Sequence, residues 1–263
     1  MDVMRLFSWN VNGVRAVSKK GFLDWFSLES PDVLCLQETK AHPEQVEATL
    51  KLPKEYFAFW NNPDRRGYAG VAVFTKIKPV FVEKDFPSGK LDTEGRSLVL
   101  YFKDFTIINV YFPNGGASPE RLEYKLKFYD KFLKFVDNME NRNIIICGDV
   151  NTAHKEIDLA RPKQNKMISG FLPIEREWLD KVISRGYVDT FRHFNEEGEK
   201  YTWWDYKTKA RERNVGWRID YFFATQQMIP RVKNAFILPE VMGSDHCPIG
   251  IELNSEIMDK RNK

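Results

Sequence analysis

Short apolar runs rich in β-branched and aromatic residues recur along the chain, and each stops abruptly at polar residues. Such runs predict strands at Arg5–Trp9, Val33–Gln37, Phe57–Asn61, Val71–Thr75, Ser97–Phe102, Thr106–Tyr111, Asn143–Gly148, Arg218–Ala224 and Ile249–Leu253. Apolar spacing of three and four marks helices instead. Phe22, Trp25 and Phe26 form one stripe, and Leu122, Leu126, Tyr129, Leu133 and Val136 form another. The second follows Ser118-Pro119-Glu120, an N-cap residue with proline at the first helical position. A third helix is predicted over Pro173–Arg185. Helices early, midway and late with many strands between them predict two packed sheets covered by helices.

Four of the strands end alike. Arg5–Trp9 runs into Asn10-Val11-Asn12, and Val33–Leu36 into Gln37-Glu38. Thr106–Val110 runs into Tyr111-Phe112-Pro113-Asn114, and Ile144–Gly148 into Asp149-Val150-Asn151. Rigid strands commonly present functional side chains on the loops at their ends. Four such ends bearing Asn, Asp, Glu or Tyr predict one shared polar pocket.

Composition narrows the class. The 263 residues are 43% hydrophobic and 29% charged, which suits a globular protein and excludes a disordered or collagen-like one. A net charge of +3 is too small to point to nucleic acid by itself, although it allows a basic face beside an acidic pocket. Cys35, Cys147 and Cys247 lack zinc-finger spacing and read as buried, reduced thiols. No apolar run approaches a bilayer span, and Met1–Trp9 enters a strand with no signal-like segment, so a cytoplasmic protein without membrane contact is expected. There is no internal repeat or Pro/Gly/Ser-rich linker, which predicts one domain over residues 1–253 with a polar tail at 254–263.

Phosphodiester hydrolysis requires an aimed and deprotonated water, stabilised phosphoryl charge and a neutralised leaving oxygen. Glu38 is a hard-oxygen donor at a strand end, suited to Mg²⁺ or equally to an exposed surface. Asp149 closes a strand too apolar to bury a lone carboxylate; Asn151 could orient it or a water, or the two could form an Asx-turn. Asp245-His246, with Asp220 as a second carboxylate, could hold a cationic imidazole against phosphate. His154 lies near enough in sequence to Asp149 to support it, whereas His42 and His193 read as surface positions. Tyr111 and Asn114 could donate to phosphate, or Tyr111 could belong to the core. The segment Lys200–Arg218 carries Lys200, Lys207, Lys209, Arg211, Arg213 and Arg218 against Asp205 and Glu212, with Trp203, Trp204, Tyr206 and Trp217 interleaved. Cations that hold phosphates among aromatics that stack on bases suggest DNA contact. Arg65-Arg66-Gly67-Tyr68 makes a smaller turn of the same kind.

Together these motifs resemble the exonuclease III family of AP endonucleases, within the endonuclease/exonuclease/phosphatase superfamily. The resemblance rests on ordered segments including Ser8–Ala16, Leu36–Lys40, Gly67–Val71, Glu94–Arg96, Asn109–Asn114, Arg121–Lys125, Gly148–Asn151, His154–Leu159, Asn214–Tyr221 and Gly243–Pro248. It implies an α/β fold, a four-layer αββα sandwich of two mixed β-sheets flanked by helices. It also implies Mg²⁺-dependent cleavage 5′ to abasic sites in double-stranded DNA by a monomer, with Mn²⁺ substituting. Accessory 3′→5′ exonuclease and 3′-phosphodiesterase activities come with it. By the same resemblance Glu38 binds the metal with Asn10 and Asn12 nearby, and Asp245 lies on the metal side. Asp149 and Asn151 activate water, Tyr111 and Asn114 contact the scissile phosphate, and His246 with Asp220 stabilises phosphoryl charge. The base is either Asp149 or the Asp220–His246 pair. Trp203 and Trp217 match a pocket for a flipped-out sugar. Arg15, Tyr68, Lys125, Asn165, Lys207 and Arg211 complete the expected DNA-binding set.

Departures bear on lesion preference. Asn12 stands where many members have Asp, Ala117 where some insert an Arg, and Lys207 where others place an apolar wedge. The wording of Tyr201–Trp204 and Val241–His246 resembles archaeal members, at least one branch of which also nicks at deoxyuridine. Superfamily phosphodiesterases for inositol phosphates, lipids or RNA would share Glu38, Asp149, Asn151, Asp245 and His246. Arg121–Lys125 and the Trp-rich segment favour DNA repair over these, and the filled catalytic positions argue against a non-catalytic DNA-binding relative.

Overall fold

A computed structural model describes residues 3–86, 93–140 and 142–254. Its first strands are β1 (Val3–Asn10), β2 (Val33–Gln37), β3 (Phe57–Asn61) and β4 (Val71–Thr75). There follow β5 (Phe81–Lys84), β6 (Ser97–Tyr101), β7 (Thr106–Val110), β8 (Ile144–Asp149) and β9 (Tyr187–Asp189). The last are β10 (Trp203–Trp204), β11 (Gly216–Trp217), β12 (Asp220–Thr225), β13 (Val232–Ile237) and β14 (Ile249–Asn254). The helices are α1 (Val14–Ser18), α2 (Phe22–Glu29), α3 (Ala48–Lys51), α4 (Pro119–Asp137), α5 (Pro162–Asn165), α6 (Pro173–Ser184) and α7 (Thr190–Phe194).

One six-stranded sheet runs β13-β14-β1-β2-β4-β3, the other β5-β6-β7-β8-β12-β9, and β10-β11 form a separate ribbon. Met4, Leu6, Val33, Cys35, Val71 and Val73 of the first sheet pack against Leu98, Leu100, Ile107, Ile145, Cys147 and Phe222 of the second. Helices cover the outer faces. Val14, Val17, Phe22 and Phe26 close one; Phe128, Tyr129, Phe132, Leu133, Val136 and Trp178 close the other. Each such large side chain contributes about 1.5–3 kcal/mol on full burial. The result is the four-layer α/β arrangement expected from the sequence. All three cysteines are buried free thiols.

In each sheet the central pair is parallel, β1 with β2 and β7 with β8. Parallel neighbours end on the same side, so all four polar strand ends gather at one edge. Beneath them a buried polar bridge joins the sheets. Gln37 Nε2 donates to Asn109 Oδ1 (2.7 Å) and Ser8 Oγ (3.0 Å), and Asn109 Nδ2 donates to the Leu36 and Ala72 carbonyls (3.1 and 3.0 Å). Buried amides held this way fix the registry of the two layers.

The structure also departs from the sequence reading. The α4 core face is shifted: Leu122 and Leu126 are half-buried, while Lys125, Phe128 and Phe132 turn inward. Apolar patterning does not mark β5, β9 or β13. The first is a half-exposed edge, the second spans 3 residues, and the third shifts register between Val232 and Asn234. Of the expected tail, Asn254 ends β14 and residues 255–263 lie outside the described residues.

Candidate active site

The four parallel strand ends supply Asn10, Glu38, Tyr111 and Asp149, and antiparallel neighbours supply the rest. Asp220 opens β12 directly opposite Asp149, and Asp245-His246 precedes β14. The backbone bends sharply here. Asn12, Glu38, Lys40 and Asn151 all have left-handed φ (45°, 50°, 50° and 55°), a costly conformation that clusters at functional sites. Gly148 (φ +135°) permits the close approach of β7 to β8, since a Cβ there would lie 1.9 Å from the Val110 carbonyl oxygen.

Side chains interlock across the seam between the sheets. Asn10 Nδ2 donates to Glu38 Oε1 (2.8 Å) and Asp149 Oδ2 (2.9 Å). The Asn151 backbone N–H donates to Asp149 Oδ1 (2.7 Å), its side-chain amide to Asp149 Oδ2 (3.2 Å), and Asn114 Nδ2 to Asn151 Oδ1 (3.1 Å). His246 Nδ1 meets Asp220 Oδ2 at 2.8 Å, and Thr202 Oγ1 donates to the same oxygen at 2.6 Å. The other ring nitrogen, Nε2, lies 3.9 Å from Asp149 Oδ2. Asp245 accepts from Asn12 Nδ2 (2.9 Å) and Trp203 Nε1 (3.1 Å). Tyr111 is buried beneath Arg96, whose guanidinium lies 4.6 Å from its ring centre and donates to its carbonyl.

These contacts separate the ionisable groups. Burial opposes charge on His246, but Asp220, then Asp149 and Asp245, raise its pKa to about 10. Asp149 is pushed up to about 7 by burial and then by Asp220, with His246 pulling it down. Burial also raises Glu38, yet Lys40, Asn10 and His246 outweigh it and hold the carboxyl below its ordinary value. Asp245 is likewise lowered, His246 and its two donors overcoming burial. Burial, followed by Glu38, pushes the Tyr111 phenol well up, so it remains a donor.

Ligand atoms of Glu38, Asp149 and His246 lie within 4.8 Å of one another. For a hard cation the carboxylate oxygens are the preferred donors of this group. The Lys40 ammonium sits against Glu38 Oε2 (2.7 Å) and Asn12 Oδ1, showing that this corner stabilises positive charge.

An aromatic cluster, Trp203 and Trp217 packed against buried Phe171, adjoins the acidic centre. Trp203 and Trp217 pair across the ribbon and meet edge to face with ring centres 6.4 Å apart, and Phe171, unmarked by any sequence motif, lies 6.4 Å from Trp217. Arg15, Tyr206, Lys207, Lys209 and Arg213 are exposed. Arg15 lines a cleft of about 670 Å³ with Lys19, Lys20 and Lys40. Tyr68 accepts from Arg96 and Arg121 through its hydroxyl.

Two expected cations are corrected, and three further residues are engaged within the fold. Lys125 is fully buried and donates to Glu175 Oε1 at 2.6 Å, so it cannot touch DNA directly. Arg218 is buried between Asp158 and Asp189, which removes it from the basic run. Arg211 donates to the Ser244, Pro239 and Val241 carbonyls and clamps a loop. The Asn165 amide nitrogen is engaged by the Ala160 and Arg161 carbonyls of its own turn. His154 pairs with Asp180 rather than with Asp149. Lys40, Thr202, Gln37 and Asn109 were missed because each reads as ordinary polar sequence; only the fold brings them to the site.

Residues 7–246 match the endonuclease/exonuclease/phosphatase family. The chain belongs to this family. As an endonuclease/exonuclease/phosphatase member it is 41% identical to an exodeoxyribonuclease of Bacillus subtilis over 254 residues, covering 95% of this chain and 100% of that one. It is 42% identical over 253 residues to a DNA-(apurinic or apyrimidinic site) endonuclease of Dictyostelium discoideum, covering 94% and 70%. Its fold superimposes with a TM-score of 0.88, at 27% identity and 95% and 99% coverage, on a 3′ phosphatase from Neisseria bound to a product DNA hairpin. Among the described residues of this family member, no helix is long and apolar enough to cross a membrane.

Proposed function

We propose that the protein is a DNA repair nuclease that hydrolyses the phosphodiester 5′ to abasic sites in duplex DNA, leaving a 3′-OH. The observation that carries this reading is the opposition, at 3.9 Å, of a carboxylate held near neutral pKa and an imidazolium, beside a cluster of part-exposed tryptophans. Asp149, fixed by Asn151 and Asn10, takes the proton of the attacking water. His246, kept charged by Asp220, cannot accept that proton and instead donates to a phosphoryl oxygen. This favours Asp149 as the base. Tyr111 and Asn114 contact the scissile phosphate, and Trp203 and Trp217, backed by buried Phe171, receive the extruded sugar.

Hard oxygen donors suit Mg²⁺, with Mn²⁺ substituting. Glu38 would hold the ion, with Asn10, Asn12 and Asp245 on the same side. Bound there, it supplies Lewis-acid charge to the phosphoryl group and leaving oxygen.

The test uses the purified protein, Mg²⁺ and a labelled duplex carrying one abasic analogue, beside duplexes with deoxyuridine and with no lesion. Incision 5′ to the abasic site, abolished by EDTA, is expected. Asp149→Asn should lower the rate about 10³-fold or more while the duplex still binds. The deoxyuridine lane decides whether the archaeal resemblance extends to that substrate. A folded protein that cuts none of the duplexes overturns the reading in favour of lipid, inositol or RNA phosphodiesters.

A further inference from the structure

We propose that the buried Lys125–Glu175 ion pair is a positioning device that ties the water-activating loop to the aromatic cluster of Phe171, Trp203 and Trp217. The inference rests on the nuclease reading above. Both side chains are wholly inaccessible to solvent. An ammonium has three protons to give, and Lys125 directs them to the Asn151 carbonyl (2.7 Å), Thr152 Oγ1 (2.8 Å) and Glu175 Oε1 (2.6 Å). None goes to helix α4 or to either sheet. Glu175 opens α6 and accepts through Oε2 from the backbone N–H of Gly170 (2.6 Å) and Leu172 (3.1 Å), and through Oε1 from Ser169 Oγ (2.9 Å).

The pair therefore grips two loops and little else. One is Asn151–Thr152, directly after Asp149. Asn151 has left-handed φ (55°), and the bond to its carbonyl holds the peptide plane that this conformation requires. The side chain of Asn151 then reaches Asp149 and Asn114. The other loop is Ser169–Leu172, which carries Phe171 against Trp217; Gly170 is so close to that indole that a Cβ would lie 3.1 Å from it. The two loops also touch directly, Ala153 N–H donating to the Gly170 carbonyl at 2.8 Å. A ligand that presses on the part-exposed Trp217, against which buried Phe171 packs, moves Gly170, and through Glu175 and Lys125 it moves Asn151. Occupying the cluster and aligning the water are linked by this route, which favours lesions that place a group there.

A buried pair can also be structural only, so the test must separate positioning from folding. Replacing both partners by apolar residues of similar size avoids an unpaired buried charge and generally preserves the fold. Lys125→Met/Glu175→Met should remain folded. Its kcat on the abasic duplex should fall about tenfold to a hundredfold with KM little changed, as a small misplacement of an aligned group does. Lys125→Arg should recover part of the loss. Hydrogen exchange reads the same device without substrate: the Asn151 amide, whose acceptor Asp149 is untouched, should exchange about tenfold faster in the double variant while α4 stays protected. Wild-type kcat together with wild-type exchange at Asn151 in the folded double variant overturns the inference. If wild-type protein fails to cut DNA, the nuclease reading falls, and the exchange measurement still decides whether the pair braces the loop.

Discussion

At the level of single residues, surroundings set the roles. His246 carries its charge because Asp220 holds Nδ1 at 2.8 Å, and Thr202 holds Asp220 in turn. Asp220→Asn removes the charge most responsible for raising the imidazole, so its pKa falls from about 10. The ring then loses its proton as pH rises through a lower value, and the alkaline limb of the pH–rate profile should move down by at least one unit, about 1.4 kcal/mol of lost interaction. Coincident alkaline limbs for variant and wild type would remove His246 from the role of charged donor. Gly148 makes a different kind of demand, because a Cβ there would lie 1.9 Å from the Val110 carbonyl oxygen. Gly148→Ala should cost about 3 kcal/mol or more through backbone strain and clash, read as a lower denaturant midpoint at unchanged slope. A midpoint near wild type would show that β7 and β8 can separate at little cost.

Elements show which parts of the molecule could be read from the chain alone. Strands buried on both faces, such as β2, β4, β7 and β8, announce themselves by unbroken apolar runs. Of the five strands left unread, β5, β9 and β13 lie at sheet edges, and β10 and β11 are two-residue strands of the separate ribbon; such elements are too short or too exposed to carry an apolar run. Glu38 and Asp149 were legible because each closes or follows such a run, whereas Asp220 and Asp245 stand just before one. Lys125 and Arg218 were misread because a cation inside the protein and one on its surface look the same in sequence; only a buried carboxylate partner distinguishes them. Asp158 is that partner for Arg218 at 2.8 Å and for Arg192 at 2.7 Å. Burial raises its carboxyl, but Arg218 and then Arg192 outweigh it and lower the pKa from 3.8 to about 2. A folded-state value below the unfolded one stabilises the protein above pH 4 and stops doing so as pH falls through 2. The contribution is about 2 kcal/mol. Stability should drop between pH 4 and 2 more steeply in wild type than in Asp158→Asn. Parallel pH curves would show that the charge on Asp158 adds nothing.

For the molecule as a whole, the small net charge of +3 conceals an uneven distribution. Carboxylates converge in the seam, while Arg15, Lys207, Lys209 and Arg213 stand exposed. A duplex laid across the seam would have its phosphates near these cations. Affinity for abasic duplex should therefore fall linearly in log–log against salt. Arg15→Ala and Lys207→Ala should each reduce the slope by about 1, and Lys134→Ala on the outer face of α4 should leave it unchanged. Equal slopes for all three variants would place the duplex elsewhere.

The two sheets are threaded differently. All of β5, β6, β7, β8, β9 and β12 come from one stretch of chain, whereas the other sheet is begun by β1 to β4 and completed only by β13 and β14. A ribosome delivers these parts in order. A growing polypeptide holds Glu38 and Asp149 long before it holds His246, and until β14 arrives the flank of β1 that β14 will pair with stays open. The first sheet and the cutting centre are thus finished by the same late segment. A chain ended before His246 would hold the carboxylates of the seam without the imidazole that opposes Asp149.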